Sequence, residues 1–172
     1  MLFTVEKIQN HVNEIRQTIY RKTRAIPSFK YLEAQCDGAQ DPSFDDSGWA
    51  DFQVGETWGG YDKTAWFRTT VAIPSEWKGK RVVLRFLVGP RDGGGSTAET
   101  LLYVNGKPLQ AIDIWHEEAW LPNELVEAGE IHIALKAWSG VLDVPEVRRF
   151  KVAELALADE ATEKYYYMAD TL

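Results

Sequence analysis

Within the stretch Leu101 to Glu118, an apolar strand leads into Asn105-Gly106 and a second short strand leads out of it. Both residues tolerate positive φ, so the pair suits a two-residue turn whose twist matches that of two antiparallel strands. A chain with this hairpin at its middle must supply further strands to cover its apolar face, because a lone hairpin is marginal in water. The polar, aromatic cluster Asp113, Trp115, His116, Glu117 and Glu118 follows directly from the hairpin.

The remaining strands can be read from alternation. Ala65, Phe67, Thr69, Val71 and Ile73 share one face of a strand, with Trp66, Arg68, Thr70 and Ala72 on the other, and Pro74 ends it. Val82, Leu84, Phe86 and Val88 oppose Arg81, Val83, Arg85 and Leu87, while Ile131, Ile133, Leu135 and Ala137 oppose His132, Ala134, Lys136 and Trp138. Val147 to Leu157 reads as one last long strand. The stretch from Ile26 to Phe52 is irregular, with turn signals at Asp37-Gly38, Asp41-Pro42 and Asp46-Ser47-Gly48. Strands at intervals of about ten to twenty residues, with little helix between them, predict an antiparallel jelly-roll β-sandwich.

Both ends differ from this pattern. Leu2, Val5, Ile8, Val12, Ile15 and Ile19 recur at helical spacing, predicting an amphipathic helix over about residues 4–22. Arg21, Lys22 and Arg24 would then close its C-terminus, where cations complement the helix dipole. At the other end, Asp159 can start a helix carrying Tyr165, Tyr166, Tyr167, Met168 and Leu172, too apolar for a solvated tail. The expected organisation is a helix at 1–25 packed on the sandwich, the jelly roll at 26–158, and the start of a linker or helix at 159–172.

Several function classes are disfavoured. A net charge of −7 argues against nucleic acid and anionic membranes. No run approaches the roughly 18 apolar residues of a membrane span, and Glu6, Lys7, Gln9 and Asn10 interrupt any signal-peptide core, so a cytoplasmic location is expected. The lone cysteine, Cys36, forms no internal disulfide and reads as a partly buried thiol. Gly89 to Ser96 lacks the Gly-Lys-Ser/Thr ending of a phosphate loop. Carboxylates abound, but nothing in their spacing selects a pair roughly 5–9.5 Å apart for glycoside hydrolysis. Asp113-x-x-His116 could supply two metal ligands or an acid/base pair; a hydrogen-bonded structural pair is the commoner outcome.

Taken together, Phe44-Asp45-Asp46-Ser47-Gly48-Trp49, Trp66-Phe67-Arg68, Ile73-Pro74, Trp77-x-Gly79-Lys80 and Leu102-Tyr103-Val104-Asn105-Gly106 resemble the galactose-binding-like jelly rolls that accompany many glycosidases. Val54-Gly55-Glu56-x-Trp58-Gly59-Gly60, Ala65 to Arg68, Tyr103 to Gly106 with Asp113-x-x-His116-x-Glu118, and Lys164 to Tyr167 narrow the resemblance to the N-terminal domain of glycoside hydrolase family 38 α-mannosidases. The family often has Gly where Ala111 stands. The resemblance implies a non-catalytic accessory domain of a retaining, zinc-dependent enzyme whose nucleophile and zinc ligands lie in a following α/β domain. It assigns no catalytic residue, metal ligand or cofactor to this chain. The implied partners are the rest of the polypeptide, a mannose-containing glycan and further copies of the full-length enzyme.

Three functional readings follow. One is inter-domain packing and oligomerisation. A second is a carbohydrate-binding module, with Trp58, Tyr61, Trp115 and Trp120 as stacking rings and Asp62, Asp113 and Glu117 as hydroxyl acceptors, since aromatic platforms beside carboxylates suit sugars. A third is a small hydrolase using Asp113, His116 and Glu117. Trp58, Tyr61, Asp62, Asp113, Trp115, His116, Glu117 and Trp120 are the expected sugar or domain-interface contacts.

Overall fold

The structure is a computed structural model that describes residues 7, 10–12, 14, 15, 18–89, 98–113, 115–141 and 147–170, the last by its backbone only. Most of the stretch from Gly89 to Ser96, and the anchors Leu2, Val5 and Ile8, lie outside those residues.

Two antiparallel sheets face one another. The larger has six strands, β1 to β12 being numbered along the chain: β2 (Ser28–Leu32), β3 (Ala50–Gln53), β5 (Thr64–Ala72), β7 (Glu99–Val104), β8 (Lys107–Ile112) and β10 (Glu130–Trp138). They are ordered β3-β2-β5-β10-β7-β8. The smaller consists of β1 (Tyr20–Ala25), β6 (Val82–Leu87), β9 (Glu118–Trp120) and β12 (Val152–Ala158), ordered β1-β12-β6-β9. A two-stranded ladder pairs β4 (Thr57–Gly59) with β11 (Val147–Arg149). Residues 7, 10–12, 14 and 15 are helical, and beyond them α1 (Asn123–Ala128), α2 (Glu160–Asp170) and a single 3-10 turn at Ser75–Trp77 complete the assigned elements.

The alternation found in the sequence is the pleat of this sandwich. Phe67, Leu135 and Leu102 from the large sheet join Leu84, Phe86 and Leu155 from the small one in a single buried cluster. Asn105 (φ 49°) and Gly106 (φ 79°) make the expected turn between β7 and β8. A Cβ on Gly106 would come within 3.2 Å of Pro42 Cδ, so this turn also presses on the loop of residues 33–49. That loop lies across the outer face of the large sheet. Its Ala39 is buried with Trp66 and Ala134, and Cys36, Trp49 and Tyr103 pack around them.

Four expectations require correction. The helix does not reach residue 22: Thr18 N–H donates to Ile15 O, and from Tyr20 the chain is a strand paired with β12. Arg21, Lys22 and Arg24 therefore lie on a sheet edge, where charge discourages pairing with another chain, and not at a helix end. The Ile26–Phe52 stretch includes β2 and part of β3, each too short to display a period. Val147 to Leu157 is two strands in different sheets, separated at Phe150 and Lys151. Phe150 is fully buried and points its ring at Phe29 and Phe67, which carries the chain across the core.

The C-terminal segment is a helix that docks. Asp159 Oδ1 accepts the N–H of Thr162 and caps α2, while Asp159 N–H donates to Ile19 O. Arg21 reaches Asp159 at 3.1 Å and Arg81 reaches the buried Glu163 at 3.0 Å. These contacts fix the direction in which the chain leaves the sandwich. Tyr165, Tyr167 and Met168 on this helix remain 58–69% exposed.

Candidate functional site

The loop between β8 and β9 is built around one carboxylate. Asp113 Oδ1 accepts backbone N–H groups from Trp115 at 2.7 Å and His116 at 2.9 Å, and the His116 ring Nδ1 lies 2.9 Å away. Burial alone would raise the Asp113 carboxyl, but these donors outweigh it and hold the group below the usual range. The Asp113–His116 pair is thus a turn-forming contact that presents Trp115, 82% exposed, to solvent. Glu118 is committed to the sandwich: it accepts the Tyr20 hydroxyl, and Arg85 Nε lies 3.8 Å away. Arg85 also pairs with Glu154 and sits 4.2 Å from the Tyr20 ring centroid.

Two clefts flank Trp115. The first, about 300 Å³, is lined by Gln110, Trp115, His116, Glu117, Glu118, Trp120, Glu163 and Tyr167. Two of its lining residues are held by Arg81, whose guanidinium lies 3.5 Å from the Trp120 ring centroid and pairs with Glu163. Here the structure brings together four residues singled out from the sequence, Trp115, His116, Glu117 and Trp120, and adds α2, which no local motif could have placed beside them.

The second cleft, about 550 Å³, lies on the outer face of the large sheet. Strand register defines its floor. Thr64 pairs with Trp138 and Trp138 with Glu99; one step inward, Lys136 pairs with Leu101 and Leu101 with Ala111. Asp113 and Trp115 close one side. Asp62, held at φ 53°, accepts the Trp138 Nε1–H at 2.8 Å and pins that indole. Tyr61 beside it is 68% exposed and does not line this cleft.

Trp58 is the residue the structure moves out of the site. Only 4% exposed, it stands edge-on to Phe67 and donates Nε1–H to Val88 O at 2.8 Å. The short strand β4 turns it into the core, so it stacks on no external ligand. Conversely, Thr64, Glu99, Lys136 and Trp138 were missed. Their signal was present as the non-core half of each alternating strand, but nothing local says which outward residues share a row.

Farther along the same outer face, Arg68, Thr70, His132, Lys30, Asp46 and Asp51 line a polar hollow of about 310 Å³. Burial first, and the neighbouring Arg68 charge second, lower the His132 pKa from 6.5, against weaker opposing pulls from Asp46 and Asp41. The folded state therefore resists protonation that the unfolded chain accepts. As pH falls below about 6.5, stability is expected to decline until the lower folded-state pKa is passed. Denaturant titrations between about pH 7.5 and 5.5 should give a slope that His132→Gln flattens; an unchanged slope would contradict this origin. Among the described residues, no group of three His, Cys, Asp or Glu side chains is arranged to hold a metal ion.

Residues 30–156 match the family model described as "Alpha-mannosidase, jelly roll domain". No curated protein sequence matches. Among solved structures, a β-glucuronidase from Bacteroides uniformis superposes with TM-score 0.63 at 20% identity, covering 80% of this chain and 18% of that one. A β-glucuronidase from Ruminococcus gnavus, in complex with an N1-substituted uronic isofagomine, gives TM-score 0.59 at 12% identity, covering 82% of this chain and 30% of that one. A β-glucuronidase from glycoside hydrolase family 2 gives TM-score 0.52 at 21% identity over 66% of this chain and 13% of that one. At these identities the likeness establishes the fold alone. The chain thus spans less than a third of each of these enzymes.

Proposed function

The chain belongs to the family of α-mannosidase jelly-roll domains, and from that premise we propose that it is a non-catalytic accessory domain of a retaining, zinc-dependent α-mannosidase. Its role is to pack against the body that carries the chemistry and to support the oligomer of the full-length, cytoplasmic enzyme. Zinc would be held by that body.

One observation carries the reading. The β8–β9 loop and α2 converge on a cleft where Trp115 is 82% exposed, and Tyr165, Tyr167 and Met168 add three further exposed apolar side chains on the helix. Clustered aromatics of this kind dominate protein interfaces, and large exposed apolar patches are uncommon on solitary domains. The Arg81–Glu163 and Arg21–Asp159 pairs anchor α2, so the aromatic rings are presented in a fixed orientation. The hydrolase reading lacks comparable support, because Asp113 and His116 are occupied in forming their own turn.

The test is association of this chain with the separately produced remainder of its polypeptide, followed by size-exclusion chromatography. A complex is expected, and the double substitution Trp115→Ala, Tyr167→Ala should weaken it by at least about tenfold, as for central aromatic anchors. Absence of a complex between two well-folded partners would overturn the proposal.

A further inference from the structure

We infer that the 550 Å³ cleft on the outer face of the large sheet is a binding site for a neutral hexopyranosyl residue, distinct from the α2 cleft. The choice of a sugar as occupant rests on the glycosidase reading above; the site's construction does not.

Four features support it. The volume falls within the roughly 300–1,000 Å³ range of small-molecule sites. Two indoles border it, and they are set differently. Trp138 is fixed in the floor by its Nε1–H bond to Asp62, so its orientation is settled before any ligand arrives. Trp115 stands at the margin, 82% exposed, on a loop whose turn is fixed by three contacts to Asp113 Oδ1. Burying such a ring against the C–H face of a pyranose removes apolar area from water on both partners.

The polar groups are also suited to hydroxyls. Glu99 and Asp113 supply carboxylate acceptors, Lys136 an ammonium donor, and Thr64 a hydroxyl already oriented by the Gln35 amide at 2.8 Å. Leu101, Ala111 and Ala137 keep the space between them apolar. Vicinal hydroxyls donate to a carboxylate and accept from an ammonium, so a mixed set of this kind can satisfy several of them at once. The two carboxylates beside one ammonium disfavour an anionic sugar. The polar hollow around Arg68 offers no comparable platform, since its charges are already paired, Lys30 with Asp51 and Arg68 with Asp46.

The register explains why these groups meet. Thr64, Trp138 and Glu99 form one row across β5, β10 and β7, and Lys136, Leu101 and Ala111 form the next row across β10, β7 and β8. The 33–49 loop covers Trp66 and Ala134 farther along the sheet and leaves these rows open.

The experiment titrates methyl α-mannopyranoside, methyl β-glucopyranoside and methyl β-galactopyranoside, each alone, into the chain while following amide chemical shifts and tryptophan fluorescence. Saturable binding of at least one is expected in the millimolar range. Lys136→Ala and Trp115→Ala should each weaken it by about tenfold or more, the order of one lost stacking or charge-assisted contact. Tyr167→Ala, which alters only the other cleft, should leave it unchanged. Melting curves of the variants separate lost binding from lost folding. No saturable response to any of the three sugars, or a response indifferent to Lys136→Ala, overturns the inference. Trp115 borders both clefts, but Tyr167 lines only the α2 cleft and Lys136 only this one, so Tyr167→Ala in the association experiment and Lys136→Ala in the titration distinguish failure of one proposal from failure of the other.

Discussion

Phe67→Ala is expected to cost about 3–5 kcal/mol, the range for emptying a fully buried aromatic site, and to lower the melting temperature by about 6–20 °C at roughly 2–4 °C per kcal/mol for a chain of this size. Phe67 has no exposed surface and lies at the centre of the core. Its ring centroid is 5.0 Å from Phe52, 5.1 Å from Tyr31, 5.2 Å from Phe150, 5.4 Å from Trp58 and 6.2 Å from Phe29. Those five rings come from β2, β3, β4 and the crossing at Phe150, so a cavity there cannot be closed by one element moving. Phe67→Leu keeps most of the volume and should cost less than about 2 kcal/mol. Chemical denaturation of both variants checks this; an alanine variant within about 1 kcal/mol of the parent would show that the core collapses into the gap.

Arg68 carries the second large effect. Its side chain is 1% exposed beneath the 33–49 loop. Nη1 donates to Phe44 O at 3.1 Å and to the Asp46 carboxylate, and Nη2 donates to Asp41 O at 2.7 Å. The guanidinium carbon lies 5.3 Å from the Phe44 ring centroid and 5.6 Å from that of Trp49. One cation therefore satisfies the loop's inward carbonyls and holds two of its rings. Removing one member of a buried pair typically costs about 3–5 kcal/mol, but Asp46 is 29% exposed and can rehydrate, so Arg68→Met is expected near the bottom of that range. That corresponds to a fall of about 6–12 °C in melting temperature. Arg68→Lys should rescue little, because a single ammonium cannot span acceptors on both sides of a planar fork. Hydrogen exchange should report early opening of residues 33–49 in both variants. Equal protection of that loop in Arg68→Met and the parent would contradict the assigned role.

The same residues show how far the sequence could be read. Arg68 was visible as an outward-facing member of an alternating strand, and Asp46 as a turn residue, but their meeting depends on a loop folding back across a sheet. Trp58 reads as a stacking residue because it is an aromatic close in sequence to Asp62; β4 pairing with β11 rotates it inward. Asp113 and His116 were correctly paired from their spacing, and the contact is local. Trp115 and Trp120 were named together, yet the helix completing their cleft lies about forty residues further along the chain.

By itself, the sequence determined the jelly-roll class, the turn at Asn105-Gly106, the apolar half of each long strand and the helical start at Asp159. Each is set within a few residues by side-chain periodicity, permitted φ or capping. Only the tertiary structure decided that Tyr20–Ala25 leaves the helix to pair with β12, that Val147–Leu157 divides between sheets, and that Trp58 is core. It also aligned Thr64, Trp138 and Glu99 into one row. Strand pairing joins residues far apart in the chain, and a period of two says which side chains share a face without saying what that face will meet.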